Sequence, residues 1–219
     1  NKPGAGTVIG VDAAAKAPAD GHTLVCIANS YCANLTLVKN LPYDPRDLKP
    51  VGLLAVSDHV LVTHPNSGIK NINDLIAVAK KNPGKLSYAS FGGGTSAHIA
   101  GAMLASKADI DLIHVPYKGQ APAMNDLIGG QVHLMFGNWS EFRHHVKSGK
   151  LIALGMATVK RSTQAPEIPT LTEQGIAMES NSWFGVLTRA GVSDDVVLKL
   201  NQEINKALQS PGLLHALQE

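Results

Sequence analysis

The sequence predicts an α/β protein built as two lobes, each a mostly parallel sheet flanked by helices. Three observations carry that expectation. Short apolar runs recur along the chain, and each is followed by a stretch with helical signals, so strands and helices alternate. The runs are continuously apolar, as in parallel strands covered on both faces. Residues 65–185 hold a complete alternating set, which leaves 1–64 plus 186–219 to form the other lobe from both chain ends.

The elements follow in order. Gly4 to Gly10 reads as a loop entering a helix, Val8 to Lys16, which Pro18 stops. His22 to Ala28 is a buried strand, and Asn29 to Asn34 a polar loop at its end. Pro42 to Asp47 is turn-rich. Val51 to Val56 and His59 to Thr63 read as two strands around Ser57-Asp58. Asn73 precedes a helix from Asp74 to Lys81, closed by Pro83-Gly84. Three strand–loop–helix units come next. Leu86 to Ser90 leads through Gly92-Gly93-Gly94 to a helix from Ser96 to Ser106. Leu112 to Val115 leads through Pro116 to Gly119 to a helix from Ala121 to Ile128. Val132 to Phe136 leads through Gly137 to Trp139 to a helix from Glu141 to Lys147. Leu151 to Ala157 is a strand, Thr170 to Gln174 a short helix, and Ser182 to Thr188 extended. Ser193-Asp194-Asp195 caps a helix running to Leu208. Its Val196, Leu200, Ile204 and Leu208 share one face, so that face is expected to be packed.

The composition excludes several classes. Of 219 residues, 44% are apolar and 16% charged, enough apolar surface for a packed core. The net charge is +2 with no Lys/Arg run, so a nucleic-acid partner is not expected. Aromatics are 5%, too few for a base-stacking platform. Every apolar stretch breaks before the roughly 18 residues a membrane-spanning helix needs. The chain opens Asn1-Lys2-Pro3 with no Met and no apolar leader, which reads as a removed signal peptide or a piece of a longer protein. Cys26 and Cys32 read either as two buried thiols or as a disulfide formed in an oxidising compartment. The histidines show no metal-ligand spacing, so no metal site is expected.

Parallel sheets bind ligands in the loops beyond the carboxyl ends of their strands. Ser90-Phe91-Gly92-Gly93-Gly94-Thr95-Ser96-Ala97-His98 is the most informative of these loops. Its glycines let a ligand approach the backbone, and the following helix start offers unpaired N–H groups and a positive dipole end. Ser90, Thr95 and Ser96 add hydroxyl donors, and His98 lies one turn into the helix. This pattern suits a carboxylate or phosphate. Lys118, Asn138 and Trp183 are candidates to line the same site. Gly92, Gly94 and Ala97 also match a dinucleotide fingerprint, which keeps an NAD-linked oxidoreductase as the alternative. That fingerprint needs an acid at the end of the next strand, whereas Asp109 and Asp111 precede it and Pro116-Tyr117 follow it.

Taken together, these stretches resemble the solute receptors of tripartite tricarboxylate transporters, a group of bacterial periplasmic binding proteins. The matching segments are Asn1 to Gly6, Lys16 to Leu24, Leu41 to Pro45, Ser90 to His98, His114 to Gly119, Gly129 to Val132, Pro169-Thr170 and Ser182 to Gly185. The resemblance implies a type II-like periplasmic-binding-protein fold and a periplasmic location. It implies binding of a small organic acid, delivery to a membrane permease, no cofactor and no catalysis. It places one ligand carboxylate on the loop from Ser90 to Thr95. Ser30 and Asn34, in the strand-end loop of the first lobe, are expected to meet the ligand from the other side. The family usually carries about fifty further residues before the position of Asn1, and a final strand and helix after Glu219. Where its members commonly have Phe-Asp-Asn, this chain has Phe136-Gly137-Asn138, which favours a ligand without an amine. A sensor with the same pocket would carry the same residues.

Overall fold

The structure, a computed structural model, describes residues 5–218. Gly4, the first residue of the expected opening loop, lies outside the described residues, as do residues 1–3 and 219. The chain divides into two units, one of residues 57–182 and the other of residues 1–56 with 183–219. The sequence had suggested divisions at 64/65 and 185/186. Two strands run from one unit into the other: β2, Leu48–Thr63, and β7, Asn181–Arg189. β2 replaces the two strands expected around Ser57-Asp58. Neither residue is Gly or Pro, and an extended backbone carries two polar residues without turning.

The second unit is organised by side-chain alternation along its strands. These are the end of β2, β3 (Leu86–Ser90), β4 (Leu112–Pro116), β5 (Leu134–Asn138) and β6 (Ile152–Met156). The order is β6-β2-β5-β3-β4. β3 is parallel to β4 and β5, while β2 runs antiparallel to β5 and β6. Leu61, Tyr88, Leu134 and Phe136 face one side, against helices α3 (Ile72–Lys81) and α4 (Ser96–Ala108). Val60, Val62, Ala89 and Met135 face the other, against α5 (Gln120–Ile128) and α6 (Trp139–Lys147). Period-two alternation thus loads both faces with apolar residues, and the sheet is covered twice. Thr170 forms an isolated bridge to Met156 and residues 171–175 form turns, where a helix from Thr170 to Gln174 was expected. Thr170 N–H donates to Glu173 Oε2 and Glu173 N–H to Thr170 Oγ1, at 2.7 and 3.0 Å. That reciprocal pair closes the turn, and Gly175 at φ 91° ends it.

The first unit comprises α1 (Val8–Ala15), β1 (Leu24–Ala28), α2 (Asn29–Leu37), the start of β2, most of β7, α7 (Asp194–Leu208) and α8 (Pro211–Gln218). Its β1 and β7 pair antiparallel, with Leu24 opposite Thr188 and Ala28 opposite Phe184. A mostly parallel sheet was expected here. That expectation assumed helical crossovers between successive strands, whereas β7 arrives directly from the other unit. Its core gathers Val11, Ala14, Ala15, Ile27, Tyr43, Leu48 and Leu187. Asn29 to Asn34 is the first part of α2, not a loop, because the helix starts at once from the end of β1. No residue of α7 is buried, and Val196 is 38% exposed, so the expected packed face is only half covered. Polar ties hold α7 instead: Lys49 Nζ to Asp194 Oδ1 at 2.5 Å, and Asn201 Nδ2 to the Val51 carbonyl at 2.7 Å. Cys26 and Cys32 are free and exposed, so both expectations for them are corrected. Cys26 shares the outer side of β1 with exposed Leu24. Among the described residues, no helix is long and apolar enough to cross a membrane.

Candidate functional site

β3, α4 and their loop set the geometry of the site. All five residues of β3 are buried, so its end is fixed by packing on both faces. Ser90, its last residue, is fully buried, and its hydroxyl organises the loop. It donates to the Gly92 carbonyl at 3.0 Å, accepts from Gly92 N–H at 3.2 Å and lies 2.7 Å from His114 Nε2. A hydroxyl has one hydrogen, and here it goes to Gly92 O. Ser90 therefore accepts from His114, whose proton sits on Nε2. Burial, with His98 beside it, pushes the His114 pKa down to about 4, so this ring is neutral.

The loop then turns through Gly92 and Gly94, at φ 135° and 76°, where a side chain would be strained. Gly94 N–H donates to His98 Nδ1 at 3.1 Å, which leaves the proton of a neutral His98 ring on Nε2. The His98 and His114 rings stack with centroids 4.0 Å apart. Thr95 occupies the N-cap of α4, yet its side chain makes no cap bond. Its Oγ1 donates back to the Gly92 carbonyl at 2.8 Å. An N-cap threonine usually accepts from the first turn, and this one is turned away. Ile99 N–H makes the first backbone bond of α4, to Thr95 O. Among the described residues, the N–H groups of Gly93, Ser96, Ala97 and His98 have no acceptor, and a Cβ on Gly93 would meet nothing within 4 Å.

Sequence reasoning expected donors from Gly92, Gly93, Gly94 and Thr95. The structure turns Gly92 N–H and Gly94 N–H inward, to Ser90 and His98, and engages the Ser90 and Thr95 hydroxyls within the loop. The available donors are therefore Gly93 and the first turn of α4. Glycines read as a flexible cradle are in fact half structural, since a tight loop must satisfy its own polar groups.

Three groups not singled out as site residues in the sequence reading stand beside the loop. His59, fully buried on β2, has Nδ1 3.0 Å from Ser180 Oγ and Nε2 2.9 Å from Ser182 Oγ. Ser182 Oγ lies 3.1 Å from Ser96 Oγ. Burial pushes the His59 pKa down to about 4. The signal available in sequence was a lone polar residue opening the apolar run His59 to Thr63.

The remaining expected residues are placed as follows. Asn138 ends β5, 8% exposed, opposite His59 in the β2–β5 register. It is the N-cap of α6 but makes no side-chain cap bond, and its Oδ1 is buried without a partner. Gly137 is enclosed: a Cβ there would lie 2.5 Å from the Phe142 ring and 3.4 Å from that of Phe91. Glu141, one turn into α6, has its pKa raised by burial. Lys118 is exposed. Trp183, half-buried, packs on the first unit's core, and its backbone N–H donates to Asn29 Oδ1 at 3.1 Å. Ser30 and Asn34 are buried on one side of α2 in the first unit. Asn34 Nδ2 donates to the Gly6 carbonyl at 2.7 Å, and Ser30 Oγ lies 3.4 Å from Thr7 Oγ1. These bonds hold Gly6 and Thr7, both left-handed at φ 57° and 77°.

Asp109 closes α4, and Asp111 lies against Gly84, which precedes β3. β3 and β4 are parallel, so both acids sit at the end of the sheet away from the loop. Among the described residues no group of three His, Cys, Asp or Glu could hold a metal. A surface hollow of about 650 Å³ in the first unit, lined by Leu35 to Asp47 positions such as Tyr43 and Arg46, includes none of the site residues.

A family model described as "Tripartite tricarboxylate transporter family receptor" matches residues 1–219. The chain is 40% identical over 222 residues to the "UPF0065 protein in tcbD-tcbE intergenic region" of Pseudomonas sp. (strain P51), covering 100% of this chain and 66% of that protein. It is 36% identical to Protein BugT of Bordetella pertussis, covering 99% of this chain and 68% of that one. The chain thus spans about two thirds of the length of the curated relatives it matches. Among solved structures it resembles periplasmic binding protein BugD, with a TM-score of 0.90 at 33% identity over 100% of this chain and 74% of that chain. It also resembles R. palustris Rpa4515 with adipate, at TM-score 0.89 and 29% identity, and MatC from Rhodopseudomonas palustris with bound malate, at 0.87 and 26%. Each of these two comparisons covers 96% of this chain and 72% of the other. The α/β periplasmic-binding-protein fold expected from the sequence is the fold of this chain.

Proposed function

The chain belongs to the tripartite tricarboxylate transporter receptor family, and from that premise we propose that it binds a small organic carboxylate in the periplasm and delivers it to a membrane permease. One observation carries the ligand class. The start of α4 presents the N–H groups of Gly93, Ser96, Ala97 and His98 without protein acceptors, behind an N-cap threonine that has turned its own oxygen away. Convergent backbone donors at a positive helix end suit a carboxylate. His98 Nε2–H adds a side-chain donor. The relatives with adipate and malate support an acid as ligand.

The work of this site is binding, with no nucleophile or proton-transfer group assigned to chemistry. Gly92, Gly94, Ser90 and Thr95 shape the loop, and Asn138 Oδ1 meets a second polar group of the ligand. Within the first unit, Ser30 and Asn34 hold Thr7 and Gly6. No acid occupies position 137, and the Phe142 and Phe91 rings fill the space above it. A ligand amine would find no carboxylate at position 137, and the neighbouring Glu141 is already engaged by Asn138, so an acid without an amine is favoured.

Calorimetric titration with succinate, malate, adipate, citrate, glutarate, glutamate and NAD, each separately, tests this reading. Binding of at least one acid is expected, with glutarate tighter than glutamate and NAD silent. Silence toward every acid overturns the reading, and binding of NAD alone replaces it with the oxidoreductase.

A further inference from the structure

His59 is a histidine without access to solvent, hydrogen-bonded through both ring nitrogens, and its partners lead to the ligand helix. The chain of contacts runs Ser180 Oγ to His59 Nδ1 (3.0 Å), His59 Nε2 to Ser182 Oγ (2.9 Å) and Ser182 Oγ to Ser96 Oγ (3.1 Å). All four residues lie in the second unit. Ser182 is 5% exposed, so the middle of the chain is also shielded from water. Ser96 is the first residue of α4, and its hydroxyl stands with the free N–H groups of that turn.

Hydrogen accounting gives this chain two states. Each hydroxyl has one hydrogen, and a neutral imidazole has one N–H. With the proton on Nδ1, Nε2 must accept from Ser182. Ser182 can then only accept from Ser96, and the Ser96 hydrogen points inward. With the proton on Nε2, Ser182 accepts from His59 and releases its own hydrogen to Ser96. The Ser96 hydrogen is then free to point out of the helix start. A carboxylate accepts and never donates, so it matches only the second state.

We propose that His59 is a positioning residue of the carboxylate site: its Nε2–H tautomer, relayed through Ser182, turns the Ser96 hydroxyl hydrogen onto the bound anion. This inference rests on the carboxylate reading above. It assigns to a buried strand residue part of the discrimination between an anion and a neutral analogue that brings its own hydrogen. Burial, which keeps the ring neutral with its pKa down at about 4, lets one tautomer or the other be held at neutral pH.

The test uses the full chain with 15N-labelled histidine and the tightest-binding of succinate, malate and adipate. Long-range proton–nitrogen correlation of the imidazole is expected to show His59 protonated at Nε2 when the acid is bound. His59→Leu is expected to weaken binding about tenfold, the scale of one hydrogen bond to a charged group. Ser182→Ala interrupts the relay without touching His59 and should weaken binding by a similar factor. His59→Gln, which keeps a donor and an acceptor, should restore much of the loss. A double-mutant cycle separates positioning from general damage. Once Ser96→Ala is in place, His59→Leu should add almost nothing. An Nδ1–H tautomer in the bound state, or fully additive losses, would overturn the inference while leaving the carboxylate reading intact. Failure of the unmutated chain to bind any acid would remove both.

Discussion

The two units bury apolar residues in different ways. In the second, Leu61, Leu134 and Phe136 are buried on one side of the sheet, and Val60, Met135 and Phe142 on the other. In the first, one small cluster forms around Val11, Ile27 and Leu187, while Leu24, Leu37, Leu53 and Leu198 stay exposed. The second unit is a sheet held by dispersion and water exclusion on two faces. The first leans on directional ties such as Lys49–Asp194 and Asn34 to Gly6 O. The start of α4, with its free N–H groups, stands on the doubly covered sheet and so has a fixed geometry.

The largest expected effect tests that packing directly. Phe142 is fully buried, and its ring lies over Gly137 near the end of β5. Phe142→Ala should cost about 3–5 kcal/mol in denaturant unfolding, from lost transfer energy and the cavity left behind. A loss under about 1 kcal/mol would mean the site relaxes freely, contrary to close packing.

A second effect comes from pH, and it too belongs to the second unit. His59 and His114 are each held neutral, with folded pKa values near 4 against an ordinary 6.5. Between those values the unfolded chain binds more protons than the folded one. Their contribution is therefore whole above about pH 6.5 and is lost as pH falls toward about 4. The melting temperature should drop over that window, and His59→Gln should flatten the drop. An unchanged profile in the variant would assign the acid sensitivity to other groups. His59 is the stronger of the two cases, since it is fully buried while His114 is partly open to solvent.

The same contrast explains what the sequence revealed. β3 was legible to the residue as Leu86 to Ser90, because a buried strand bounded by Gly-rich segments has few other readings. The three loops beyond β3, β4 and β5 were legible as strand-end loops opening helices for the same reason. The partners within them were not. Gly92 N–H meeting Ser90 Oγ, and Gly94 N–H meeting His98 Nδ1, are bonds within a folded loop that composition cannot express. His59 pairs with Ser180 and Ser182 more than a hundred positions away, so no local spacing reports it. In the first unit, α2 was taken for a loop because its polar start, Asn29 and Ser30, resembles a turn. Those side chains are polar because they bond to the chain around them, and a helix can carry them as well as a loop can.

The smallest expected effect lies on α7 and sharpens the comparison from its other side. The helix is amphipathic in sequence, yet Leu198 is 56% exposed and none of its residues is buried. If its polar ties are what hold it, replacing an exposed leucine removes little. Leu198→Gln should change unfolding stability by no more than about 0.5 kcal/mol, the range of surface substitutions away from packed features. Lys49→Met should cost more than that, because it removes the Asp194 pair and the bond to the Val192 carbonyl together. A loss above about 1.5 kcal/mol at Leu198 would place it among buried side chains. Its apolar side would then be covered in solution, and sedimentation across a range of protein concentrations would tell whether a second copy covers it.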